Sequence, residues 1–193
     1  MQYMYNVLND DEISDDTEIA IEYHIPQSSK RIDFIIAGKN CKNEDAVVLV
    51  ELKQWSKAEL TDKDGVVVSF VGHGNRELSH PSYQVWTYAC LLQDFNQTVN
   101  DENIRLHPCA YLHNYEQDDV IDNNFYQSYI DKAPLFLKSD ALKLREFIKQ
   151  NVKHGTNDQL IYKIDQGKIK PTKHLADQLE SMLKGNQEFL MID

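Results

Sequence analysis

Alternating apolar and polar residues run through the first third of the chain, and this period of two is typical of β-strands. Strands are predicted over Glu18–His24, 31–37 and 46–53, with a fourth over Val66–Val71. The segment 46–53 begins AVVLV, which is apolar on both faces. We therefore expect this strand to lie in the centre of a sheet. A short helix is predicted before the strands, over 1–8.

Helical patterns dominate the rest of the chain. HPSYQVWTYACLLQDF is predicted to form a mostly buried helix, with Ser79 or His80 as the cap and Pro81 in the first turn. The polar segment before it, 72–79, is predicted to be a loop. Further patterns predict a strand over 106–113, helices over 139–151, 158–164 and Lys173–Leu183, and a last short strand over 188–192. Consecutive strands followed by helices predict an α/β fold with a mixed central sheet flanked by helices.

Composition narrows the class of protein. The chain has 193 residues, 41% hydrophobic and 26% charged, which fits a globular domain and excludes a disordered chain. No apolar run approaches the roughly 20 residues of a membrane helix, so we expect no membrane association. Three scattered cysteines and the lack of a signal peptide predict a cytoplasmic protein. The net charge of −11 argues against nucleic-acid binding, unless bound metal ions invert the charge of one cleft.

Charged residues stand at the end of the most apolar strand. Glu51 and Lys53 follow AVVLV in VVLVELKQW, and a period of two places both on one face. Ionised groups at the edge of a core are costly unless they are paired or bound to metal. One interpretation is a structural Glu51–Lys53 ion pair, and the other is a functional site.

Asp33 favours a functional site. It lies in RIDFII, within the preceding strand, and short connections make the two strands antiparallel neighbours. Asp33 and Glu51 then converge, and with the backbone carbonyl of Leu52 they provide hard oxygen ligands suited to Mg²⁺ or Mn²⁺. Lys53 is placed to position a water molecule and to stabilise charge on a phosphate.

The buried helix carries a second polar pair. Gln84 and Tyr88 are four residues apart, so both point from one helix face towards the sheet. The alternative to a functional pair is a core tyrosine beside a capping glutamine.

The order Asp33, Glu51-x-Lys53 resembles the motif of the PD-(D/E)XK nuclease superfamily, with Ile32 in place of the proline. Gln84-x-x-x-Tyr88 is similar to the accessory motif of its RecB-type members. The resemblance implies a restriction-endonuclease-like fold, in which Asp33 and Glu51 bind metal and the Gln84–Tyr88 pair supports the site.

The superfamily usually supplies one more acid from its first helix, and segment 1–8 has none. Glu22 is the nearest candidate for a further metal ligand, and an exposed strand residue is the alternative.

A closer resemblance covers nearly the whole chain. EYHIPQSSKRIDFIIAG, VVLVELKQW, HPSYQVWTYACLL and LADQLESMLKGNQEFLMID are similar to the N-terminal region of the Schlafen-group-three-like DNA/RNA helicase family. It implies a nuclease-like domain over 1–156, and a segment over 157–193 that leads to a helicase/ATPase domain. The chain contains no G-x-x-x-x-G-K-[ST] loop for ATP phosphates.

These features predict a metal-dependent nuclease that hydrolyses phosphodiester bonds of DNA or RNA. Two alternatives stay open: a catalytically silent nuclease-like module that binds nucleic acid or a partner, and an interaction domain in which Asp33 and Glu51 lie far apart. Lys30, Arg31 and the segment 53–57 are candidates for phosphate contacts, and Trp55 offers a stacking face. The alternative for these residues is a solvated rim.

Overall fold

The structure, a computed structural model, describes residues 2–183 and has a mixed α/β fold. In chain order its elements are α1 (Gln2–Leu8), β1 (Glu18–His24), β2 (Arg31–Lys39), β3 (Asp45–Lys53), β4 (Ala58–Leu60), β5 (Val66–Val71), β6 (Gly74–Ser79), α2 (Pro81–Phe95), α3 (Gln97–Asp101), β7 (Arg105–Leu112), α4 (Gln127–Ile130), β8 (Leu135–Leu137), α5 (Ala141–Asn151), α6 (Leu160–Gln166) and α7 (Lys173–Leu183). Short 3₁₀ turns precede α4 and α5.

The main sheet has five strands in the order β1-β2-β3-β7-β8. The first three strands are antiparallel neighbours, whereas β3–β7 and β7–β8 are parallel. The predicted mixed sheet flanked by helices is therefore confirmed at the level of an α/β fold.

Strand β3 is central, as its apolar sequence predicts, and it is buried on both faces. On one face Leu49 belongs to the same buried cluster as Val85 of α2. On the other face Val50 packs in a cluster with Leu144 of α5 and Met4 of α1. The two helix layers thus exclude water from both sides of the strand that ends in Glu51 and Lys53.

A second sheet corrects the sequence-based prediction. Val66–Val71 is a strand, but it pairs with β4 and β6 in a separate antiparallel sheet. The prediction of a loop over 72–79 is wrong, because Gly74–Ser79 forms the edge strand β6. Its residues are mostly exposed, so no apolar alternation marks it. Gly72, with φ 68°, takes the left-handed conformation that the tight turn before β6 requires.

Helix α2 begins where the Pro81 signal places it. His80 is the N-cap: its Nδ1 accepts from the Ser82 N–H at 3.2 Å, and its Nε2 lies 2.8 Å from the Ile121 carbonyl oxygen. Burial lowers the pKa of His80 to about 4, so this cap is a neutral imidazole. The anchored start fixes the direction of the helix that carries Gln84 and Tyr88.

The C-terminal helices follow the predicted pattern. The Glu18 carboxylate accepts from the Leu160 and Ile161 N–H groups at 2.7 and 2.9 Å, which satisfies the first turn of α6. Leu160 is fully buried in the cluster that also contains Leu49. Helix α7 has the predicted bounds, and Leu179 on it is 41% exposed.

The division of the chain at residue 156 stays a prediction, and the strand predicted over 188–192 lies outside the described residues. None of the helices within residues 2–183 has the length and apolar character needed to cross a bilayer.

Candidate active site

Asp33 and Glu51 lie at facing positions on neighbouring strands. The β2–β3 register pairs Phe34 with Val50, so the next position along each strand sets Asp33 opposite Glu51. Asp33 Oδ2 accepts a hydrogen bond of 2.8 Å from the Leu52 backbone N–H. This bond holds the Asp33 carboxyl group against the end of β3. The structure therefore brings the two predicted carboxylates together.

Glu51 is a buried acid, only 2% exposed. Its Oε1 accepts from Lys53 Nζ at 2.6 Å and from Gln84 Nε2 at 2.8 Å. Its Oε2 is buried and has no hydrogen-bond partner among the described residues. Burial raises the pKa of Glu51 to about 7, the ammonium of Lys53 opposes this rise, and the Asp33 carboxylate adds to it.

Helix α2 completes the network from above the sheet. Gln84 Oε1 accepts from Lys53 Nζ at 3.0 Å, while its Nε2 also donates to Tyr88 Oη at 2.9 Å. Because both ends of the amide are bound, its orientation is fixed. Burial, followed by the nearby Glu51, raises the pKa of Tyr88, so its phenol stays protonated. The predicted i, i+4 pair does face the carboxylates.

Leu52 takes part through its backbone. Its side chain packs on the opposite face of the sheet, in the cluster that contains Val50. Its N–H is the group that binds Asp33. The role of its carbonyl oxygen as a metal ligand stays a prediction.

Glu22 is not brought into this network. It has a left-handed φ of 54° within β1, and its carboxylate lies 3.3 Å from Arg31 Nη1. Its side chain is 63% exposed and does not line the cleft around Asp33. Glu22 is thus an exposed residue of the strand, which was the alternative interpretation.

The side-chain oxygens that this site offers to a divalent cation come from Asp33 and Glu51. Within residues 2–183 no group of three or more His, Cys, Asp or Glu side chains is arranged to hold a metal ion. Mg²⁺ nevertheless fits, because it usually retains several waters and is bound through one or two carboxylates. The buried Glu51 Oε2 has no hydrogen-bond partner among the described residues, so it is an oxygen that a cation could use. Asp33 and Glu51 are the side chains that would hold it.

Two adjoining clefts open at this network. The first cleft has a volume of about 590 Å³ and is lined by His24, Ser29, Lys30, Arg31, Asp33, Glu51, Leu52, Lys53, Gln84 and Tyr88. The second cleft has about 550 Å³ and is lined by Lys30, Lys53, Trp55, Leu78, Ser79, Tyr83, Gln84, Thr87 and Tyr88. The sequence patterns did not single out His24, the last residue of β1, or Ser29 of the β1–β2 turn, because neither is marked by periodicity or by a catalytic motif.

Comparison of the chain with protein-family models, with curated proteins and with solved structures finds no match.

Proposed function

We propose that the protein is a Mg²⁺- or Mn²⁺-dependent nuclease with a PD-(D/E)XK-like fold, which hydrolyses phosphodiester bonds of DNA or RNA. One observation carries the proposal: Asp33 and Glu51 converge at the end of a central strand, where both line one cleft. Glu51 also keeps one buried oxygen without a hydrogen-bond partner among the described residues. Lys53 lies beside them, 2.6 Å from Glu51 Oε1. Two acids and a cation at one point match the needs of metal-assisted phosphoryl transfer.

The roles of the residues follow from their positions. A divalent cation, when bound, supplies Lewis acidity that polarises the phosphate and neutralises developing charge. Asp33 and Glu51 hold it with their carboxylates. The Lys53 ammonium orients the attacking water and stabilises negative charge on the phosphate oxygens.

Gln84 acts as a positioning residue. It binds Lys53 through Oε1 and Glu51 through Nε2, and so keeps acid and ammonium in one arrangement. Tyr88 in turn accepts from Gln84. Such supporting contacts fix the groups that meet the substrate before it binds.

We also propose that this domain is the N-terminal module of a longer nuclease–helicase protein, with a helicase/ATPase domain downstream. The resemblance of four sequence segments to the Schlafen-group-three-like helicase family supports this. A second candidate is a silent nuclease-like module, which is favoured by a site with two acids and by a Lys53 already bound to Glu51 and Gln84.

Cleavage assays separate the two candidates. End-labelled single- and double-stranded DNA and RNA are incubated with the protein in Mg²⁺, in Mn²⁺ and in EDTA. The proposal expects metal-dependent cleavage that Lys53→Met reduces at least about a hundredfold. Lys42→Met is the matched control: Lys42 is exposed in the β2–β3 turn and lines neither cleft. No cleavage of any substrate in either metal contradicts the proposal and favours the silent module.

A further inference from the structure

We infer that the first and second clefts form one groove for a single-stranded nucleic acid, with phosphates on Lys30 and Arg31 and an unpaired base stacked on Trp55. The clefts share Lys30 and Lys53 on their walls, along with Gln84 and Tyr88, so they adjoin at these residues. The inference names the substrate class of the proposed nuclease, and so rests on that proposal.

The phosphate side of the groove comes from the β1–β2 turn and the start of β2. Lys30 is exposed, lines both clefts, and has no carboxylate within 4.0 Å among the described residues. Arg31 lines the first cleft. Its pair with Glu22, at 3.3 Å, joins two side chains that are 47% and 63% exposed, and such surface pairs are weak. Both cations therefore remain able to bind phosphate oxygens.

The base side of the groove is aromatic. Trp55 packs partly against the main core and also lines the second cleft, so its ring is held in place. Tyr83 lines the same cleft and is held by an edge contact of 4.9 Å between its ring centroid and that of Tyr129. A fixed aromatic face beside a line of cations is the arrangement with which proteins bind single strands independently of sequence.

Base stacking and charge both favour a single strand over a duplex. Inside a duplex the neighbouring base pairs cover both faces of each base, so Trp55 can stack on an unpaired base but not on an internal base pair. A protein of net charge −11 also resists the dense charge of a double helix. Two phosphate-binding cations predict a shallow salt dependence, with a slope of log K against log salt of about −1.4.

Binding without metal tests the inference separately from catalysis. Fluorescein-labelled oligonucleotides of about ten nucleotides, (dT)n and (U)n, and a blunt DNA hairpin closed by a non-nucleotide linker are titrated with protein in EDTA, and anisotropy is measured. The linker leaves the hairpin without unpaired bases. We expect both single strands to bind at least about tenfold more tightly than the hairpin. Trp55→Ala is expected to weaken single-strand binding about tenfold.

Trp86→Phe is the matched control. Trp86 lies beneath Lys132, with Nζ 3.8 Å from its ring centroid, and lines neither cleft. The chain has two tryptophans, so this variant keeps Trp55 alone. We expect it to bind like the wild type, and binding to quench its fluorescence. This fluorescence measurement uses no loss-of-function variant, so it tests stacking on Trp55 even if Trp55→Ala does not fold.

The outcomes are distinct. The inference is overturned if the hairpin binds as tightly as the single strands or more tightly, or if no probe binds. It is also overturned if binding does not quench the fluorescence of Trp55. A preference for (dT)n or for (U)n assigns the groove to DNA or to RNA. Single-strand binding with no cleavage in Mg²⁺ or Mn²⁺ supports the groove and contradicts the nuclease instead.

Discussion

Asp33 and Glu51 face each other across β2 and β3, and each carboxyl group has one oxygen bound by N–H donors of the protein. Asp33 Oδ2 binds the Leu52 N–H, whereas Glu51 Oε1 binds Lys53 and Gln84. Lys53 is the one cation in direct contact with this pair of acids in the described part of the chain. With both acids ionised, Asp33, Glu51 and Lys53 together carry one excess negative charge, which a divalent cation would neutralise.

Removing the charge of Asp33 tests this excess. Asp33→Asn keeps an oxygen that can accept from Leu52, and its amide can donate to the unpaired Glu51 Oε2. We expect the metal-free variant to be more stable by about 1 kcal/mol at pH 8, because one carboxylate repulsion is lost. Chemical denaturation in EDTA measures this. Cleavage is expected to be lost, and a variant less stable than the wild type contradicts the account.

Removing the Lys53 ammonium tests how much it stabilises the buried Glu51 carboxylate. Lys53→Met keeps most of the side-chain volume but leaves Glu51 without its ammonium partner. Above pH 7 we expect a loss of about 3 kcal/mol of unfolding free energy, since a buried carboxylate is then unpaired. Near pH 5 Glu51 is protonated, and the loss is expected to be small. Denaturation of both proteins at the two pH values checks this, and an equal loss at both contradicts it.

The pH dependence of stability follows from Glu51 itself. Its folded pKa of about 7 lies above the 4.5 of an ordinary glutamate, so the folded state binds the proton more tightly. This contribution to stability is complete below pH 4.5 and is lost as the pH rises to about 7, a change on the order of 3 kcal/mol. Glu51→Gln stays neutral and lacks this change. The difference between the two stability profiles, both measured in EDTA, gives the contribution of Glu51. Parallel profiles over pH 4–8 would contradict the prediction.

Gln84→Ala tests the supporting role of Gln84 in both stability and cleavage. Gln84→Ala removes an acceptor from Lys53 and a donor from Glu51, so we expect a stability loss of about 1–3 kcal/mol. Cleavage is expected to fall less than in Lys53→Met, because the carboxylates and the ammonium remain. Gln93→Ala, on the exposed side of the same helix, is the control and is expected to change neither. A Gln84→Ala protein with wild-type stability and cleavage would exclude the role.

Much of this site was predictable because its signals are local. Alternation along β3 placed Glu51 and Lys53 on one face, and the i, i+4 spacing placed Gln84 and Tyr88 together. The contact between Asp33 and Glu51 followed from short connections that make β2 and β3 neighbours. Each of these inferences depends on chain periodicity or on loop length.

What the sequence did not predict depends on contacts between distant segments. Strand β6 is polar and exposed, and only its backbone pairing with β5 makes it a strand. Glu22 has a left-handed backbone conformation, and its carboxylate pairs with Arg31. The residue type does not predict this conformation, because glycine and asparagine are the usual residues there. The joining of the two clefts at Lys30 and Lys53 likewise required the folded chain.

The most direct test of the central claim is a Mn²⁺ titration followed by electron paramagnetic resonance at pH 8, above the Glu51 pKa of about 7. The account predicts that the wild type binds Mn²⁺, that Glu51→Gln and Asp33→Asn each weaken binding at least about tenfold, and that Glu22→Gln binds like the wild type. Binding that is unchanged in Glu51→Gln, or that is lost in Glu22→Gln, would contradict it.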